Sequence, residues 1–338
     1  RQRLRGKLET LIGAEGDSVA LTANTTRGVS DVALSIPWQT GDRVVLFKGE
    51  FPANVTPWQQ AARHYGLELL WHDAADYLLP GNDALQRLER DLQRGVRLVA
   101  VSAVQFQTGL RMPLEQLGRL CRQYGAELFV DAIQACGALP LDVQQLGIHY
   151  LACGGHKWLM GMEGSGFVYV APDCAQRWVP LVAGWQSHEE SEDFLSRGAG
   201  LLRYDKPLKQ SALALETGTL SVLGFAALEA GLDLVQELGV PAIFDHIGRY
   251  LNRLESELVA RGFQTLRSRD SAAQSTILSV LPPHPLQVLD VHRGLAQRGI
   301  ICGVPDGILR FSPHWPNALT EVDAVANALD EIIAASKT

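Results

Sequence analysis

The sequence predicts an α/β protein: a mostly parallel sheet of about seven strands flanked by helices, followed by a smaller α+β unit. Short apolar or β-branched runs alternate with helical patterns as far as residue 170. Those runs are almost continuously apolar, the pattern of strands covered on both faces. Beyond residue 222, long helical periodicity takes over before alternation returns. With 338 residues, 46% of them hydrophobic, the chain is long enough for one large domain and a smaller one.

In chain order, the runs SVAL (18–21), VVLF (44–47), ELLW (68–71), LVAV (98–101), LFV (128–130), YLA (150–152) and FVYV (167–170) read as strands. Stretches 58–65, 84–94 and 114–124 carry the 3.6-residue apolar period of amphipathic helices. Helical periodicity then covers 222–238 and 243–261. The tail reads as strands at 277–281, 300–302 and 309–311, with helices at 287–297 and 321–335. The expected division is an N-terminal helix (1–12), a large domain (13–225) and a small one (226–338). No Gly/Ser-rich linker, internal repeat or low-complexity tract interrupts the chain.

A formal charge of −7 argues against a nucleic-acid or anionic-membrane surface, which would want clustered basic residues. The basic start, Arg1, Arg3, Arg5 and Lys7, reads as the solvated face of a short helix. Five cysteines, Cys121, Cys136, Cys153, Cys174 and Cys302, form no CxxC pair and are odd in number, the usage of a reduced, cytoplasmic protein. No ligand set for a metal stands out. No run is long enough to span a bilayer and no signal peptide is visible. The chain opens on Arg rather than Met, so a segment upstream is expected.

The chemistry concentrates at strand ends, where open sheets bind ligands. Asp131 follows the run LFV; a carboxylate buried there is expensive without a cation, and a pyridinium nitrogen would serve. A cap or turn role explains Asp131 equally well when it is taken alone. Gln134 lies three residues on, within reach of the same ligand. Lys157 stands between Gly154-Gly155 and Trp158 just past another strand. It is either an ordinary surface lysine or a desolvated amine kept for carbonyl chemistry. Thr25, Thr26 and Gly28 open a helix after the first strand, a place where hydroxyls and free N–H groups make a phosphate site, although Thr is also a common cap. Gly218-Thr219 precede a second helix.

Taken together, "TTRG", "EFPAN" with a following "PW", "VDAIQ", "GGHKW", "ETGT" and "RFSPHWPN" resemble the class V aminotransferases, fold-type I pyridoxal-phosphate enzymes. Cysteine desulfurases, kynureninases and isopenicillin-N-epimerase-like proteins belong to that group. The resemblance covers nearly the whole chain, in order. It implies that Lys157 holds the cofactor aldehyde as a Schiff base and shuttles protons at the substrate Cα. It implies too that Asp131 pairs with the pyridine nitrogen, that Gln134 contacts the ring hydroxyl, and that Thr25, Thr26 and His156 lie at the cofactor, the last two on its phosphate. Thr219 would reach the phosphate from the other protomer of a homodimer. Arg310 matches the arginine that grips the substrate carboxylate, and Asn317 the asparagine of that loop.

Three departures from the family pattern bear on the reaction. Phe51 stands where many desulfurases stack a histidine on the ring, which leans towards the kynureninase and epimerase-like side. Gly154 replaces the desulfurase serine. Gln105 and Gln107 replace an asparagine region, with Gln105 expected over the ring. The leading expectation is therefore a pyridoxal-phosphate enzyme acting on the amino group or Cα of an amino acid. A desulfurase using Cys302, and a non-catalytic protein retaining the fold, are the alternatives. Between Cys302 and Arg310, Pro305 is expected to stiffen a tight hairpin with Ile301 and Ile308 in its strands, which would hold the thiol in place.

Overall fold

The computed structural model describes residues 1–78, 81 and 83–336. Helix α1 (Gln2–Ile12) precedes β1 (Val19–Thr22), α2 (Thr25–Ser35), β2 (Arg43–Lys48), α3 (Thr56–Tyr65), β3 (Glu68–Asp73), α4 (Ala84–Gln93), β4 (Leu98–Ser102), α5 (Leu114–Tyr124), β5 (Glu127–Asp131), β6 (Tyr150–Gly154) and β7 (Gly166–Val170). These seven strands form one sheet in the order β1-β7-β6-β5-β4-β2-β3. Pairing is parallel from β3 to β6 and antiparallel on both sides of β7. β4, β5, β6 and β7 are buried at every position, as apolar strands covered by helices on both faces must be. Gly28 shows how closely the cover packs: a Cβ there would lie 2.6 Å from Val168 Cγ2, so only glycine lets α2 approach the sheet.

Short helices α6 (Pro172–Ala175) and α7 (Asp193–Ser196) follow, then α8 (Val222–Leu238) and α9 (Val240–Ala260). α8 runs unbroken through residues 225 and 226, where the division between domains is expected. The C-terminal part places β8 (Gln264–Thr265), β9 (Leu278–Leu281) and β10 (Leu309–Phe311) in an antiparallel sheet ordered β10-β9-β8, with α10 (Val288–Gln297) and α11 (Glu321–Ala335).

The fold departs from two expectations. Residues 300–302 form no strand; the hairpin closes instead on a single antiparallel bridge, Gly303 to Arg310, with N···O distances of 2.9 and 2.8 Å. Ile301 is left 85% exposed, without a ladder partner. The basic start is not merely a solvated face. Arg5 holds Glu216 by two bonds of 2.9 and 2.7 Å, and Glu216 also accepts from the Leu21 N–H, so α1 is tied to β1. Lys7 reaches Glu229 and Asp233 on α8.

Candidate active site

The carboxyl ends of β4, β5 and β6 open onto a cleft of about 180 Å³ lined by Thr25, Thr26, Phe51, Phe106, Asp131, Gln134, His156 and Lys157 among others. It runs into a wider space of about 440 Å³ that shares Phe51, Phe106, Gln134 and Lys157 and adds Gly303, Val304, Pro305 and Arg310.

Asp131 is 3% exposed. Its Oδ1 accepts from the Ile133 N–H at 3.0 Å, and no protein donor among the described residues meets Oδ2. Burial pushes the carboxyl up to about 7; the Ile133 N–H opposes this, the Glu50 carboxyl adds to it, and Lys157 opposes it. Lys157 is exposed because the cleft is open, yet the protein around its amine displaces enough water to lower its pKa. Asp131 resists that fall and Arg310 adds to it. The result is a carboxyl and an amine each held nearer neutrality than in water.

Gln134 accepts from the Trp158 indole N–H at 3.2 Å, which turns its amide N–H₂ free of that partner. The Trp158 ring in turn stacks on His314, centroids 5.1 Å apart at 22°, joining the "GGHKW" loop to the "SPHW" loop. Arg310 donates from Nη1 to the Phe106 carbonyl at 2.6 Å, its Nε has no partner, and burial lowers its pKa. Phe51, 52% exposed, meets Phe106 edge to face at 5.3 Å.

At the start of α2 the N-cap is Asn24, which accepts from the Arg27 N–H at 2.9 Å; Thr25 and Thr26 are the first two helical residues. With the Arg27 N–H capped by Asn24, the N–H groups of Thr25 and Thr26 are left without an acceptor among the described residues and suit a phosphate. The Thr25 hydroxyl is engaged, accepting from the Gly154 N–H at 2.9 Å, while Thr26 and His156 are exposed on the cleft. A Cβ on Gly154 would lie 3.1 Å from His156 Cε1, so glycine leaves that imidazole its room.

Three of the expected residues are not on this protomer's cleft. Gln105 is 3% exposed and turns into the protein, donating to Glu50 at 3.0 Å, so it does not lie over the cleft; the neighbouring Phe106 does. Asn317 stays in its own loop, accepting from the His314 N–H and donating to Glu321, both at 2.8 Å. Thr219 is exposed and outside this protomer's cleft, two residues before the N-cap Ser221 of α8. Phe106 and Glu50 are not singled out by sequence reading. Glu50, a carboxyl just past an apolar strand, carries the same signal that marks Asp131.

The aminotransferase class-V family matches residues 2–304. The chain belongs to this family. This class-V protein is 30% identical to a probable cysteine desulfurase of Pyrococcus abyssi, over 95% of its own length and 80% of the relative's. It is 29% identical to the isopenicillin N epimerase of Streptomyces clavuligerus, over 97% and 83%. Among solved structures, a cystine C-S lyase complexed with cysteine persulfide superposes with a TM-score of 0.86 at 26% identity, covering 97% of this chain and 85% of that one. Membership makes the protein a pyridoxal-phosphate-dependent enzyme acting on an amino acid. The cleft's donor set fits that cofactor: an open carboxylate oxygen for a ring nitrogen, an amine for an aldehyde, an aromatic wall, and helix N–H groups for a phosphate. No helix among the described residues is long and apolar enough to cross a membrane.

Proposed function

We propose that this class-V enzyme is a cytoplasmic homodimer that acts on the amino group or Cα of an α-amino acid, with Lys157 as the residue that carries the cofactor. One observation supports this most: the open Asp131 oxygen, the Lys157 amine and the Arg310 guanidinium converge on one connected cleft at the carboxyl edge of the sheet. Pyridoxal phosphate, when bound, supplies a sink for electrons released at the substrate Cα. Asp131 holds a proton on the ring nitrogen, and Gln134 donates to the ring oxygen. Thr26, His156 and the α2 N-terminus receive the phosphate, with Thr25 bracing that turn through Gly154. Phe51, on the cleft wall, would offer its ring for stacking. Arg310 binds the substrate carboxylate. Lys157, its proton loosened by the protein that displaces water around the amine, takes and returns the proton at Cα. Thr219 of the second protomer completes the phosphate site. Exposed Met162, Val222 and Leu223, at 55%, 73% and 78%, supply apolar surface for such an interface. The five cysteines are free, as a reducing compartment keeps them.

The desulfurase reading has a specific observation in its favour, the names of several relatives. Cys302 speaks against it: it lines neither part of the cleft, it is half-buried, and burial pushes its thiol up to about 11. The test is a product profile of the holoenzyme on a panel of amino acids, with and without an α-keto acid. Keto-acid-dependent amino transfer or inversion at Cα supports the proposal; sulfide from cysteine with persulfide on Cys302 selects the desulfurase.

A further inference from the structure

Glu50 is a buried carboxyl that none of the roles above uses. Gly49, at φ 87°, turns the chain at the end of β2 so that Glu50 enters the protein while Phe51 emerges on the cleft. Glu50 Oε1 accepts from the Ser102 N–H at 2.7 Å and from Gln105 Nε2 at 3.0 Å; Oε2 is bonded to the Ser102 hydroxyl. No cation pairs with it among the described residues. A carboxyl buried among neutral donors alone is expensive, so packing does not by itself account for Glu50.

The reason lies in what it joins. Ser102 is the last residue of β4, in register with Asp131 on β5, and the Ala103 N–H donates to the Asp131 carbonyl at 2.9 Å. Phe51 follows Glu50 directly, and Phe106 follows Gln105 directly. The rings of Phe51 and Phe106, edge to face at 5.3 Å, hang from the two segments that this carboxyl ties together.

We propose that Glu50 is a positioning residue: it clamps the ends of β2 and β4 so that Phe51 and Phe106 form a fixed wall of the cleft, with Gln105 as part of the clamp. This rests on the reading of the cleft as the pyridoxal-phosphate site. A fixed wall would fix the orientation in which a cofactor ring is held.

The test is titration of apoprotein with pyridoxal phosphate, read by fluorescence quenching for affinity and by visible circular dichroism per bound cofactor for ring orientation. Thermal melting checks the fold of each variant. Glu50→Gln keeps an acceptor for the Ser102 N–H and a donor for its hydroxyl, so it should stay within about threefold of wild type with a native dichroic band. Glu50→Ala should bind at least about tenfold more weakly, with a diminished band. Gln105→Ala touches nothing in the cleft, yet should move both readouts in the same direction. Glu50→Ala and Gln105→Ala that match wild type, or a Glu50→Gln as damaged as Glu50→Ala, overturn the clamp. Wild type that takes up no pyridoxal phosphate overturns the cofactor reading beneath it instead.

Discussion

Replacing Asp131 with asparagine separates the stability of the fold from the chemistry of the cleft. The carboxyl rises from its ordinary 3.8 to about 7 because it is buried, with Glu50, Lys157 and the Cys153 thiol the titratable groups that interact with its charge. A folded-state value above the unfolded one means that the native protein holds an extra proton between those two pH values. Stability is therefore fully kept below about 4 and falls by about 1.4 kcal/mol per pH unit as pH rises to 7. The whole interval corresponds to about 4 kcal/mol, and the part between pH 5 and pH 7 to about 3 kcal/mol. Asparagine keeps an oxygen for the Ile133 N–H and carries no charge. Urea unfolding of the apoprotein at fixed protein concentration, at pH 5 and pH 8, is the assay. Asp131→Asn should be the more stable form at pH 8, its advantage shrinking by about 3 kcal/mol at pH 5, while the holoenzyme loses most activity. An equal effect of the substitution at both pH values would show instead that the carboxyl titrates alike in folded and unfolded chains.

Other consequences test the shared site and the thiol. Mixing Lys157→Ala with Thr219→Ala protomers should restore activity, because one of the two sites in each heterodimer then carries neither lesion; exchange without recovery would refute the trans role of Thr219. Cys302→Ser should leave the main activity within a few-fold of wild type in steady-state assays, since a half-buried thiol raised to about 11 is mostly protonated at neutral pH. A loss of sulfide release in that variant, with persulfide on the wild-type thiol, would contradict it.

Most of the fold was legible because the sheet is buried on both faces. Strands such as β4 and β6 read as unbroken apolar runs, and α5, α8 and α11 carry a helical period over their full length. β8 has two residues, too few for any period. Residues 300–302 are apolar because Ile300 and Cys302 pack on the core, not because they pair, and an apolar run cannot tell those apart. Asp131 and Lys157 were visible as polar residues set at the ends of apolar strands. The direction of Gln105 was not, because its side chain answers to Glu50, 55 positions earlier, and no local pattern encodes that contact. The engagement of Arg5 with Glu216 was hidden in the same way, by 211 positions of chain.

Lys157, which lines the same cleft as Asp131, is the lysine assigned to carry the cofactor. Borohydride reduction of the holoenzyme, followed by proteolysis and mass spectrometry of the pyridoxyl-bearing peptides, tests this directly. One modified site is expected, Lys157, absent from Lys157→Ala protein whose fold is retained; a pyridoxyl group on any other lysine would overturn the assignment.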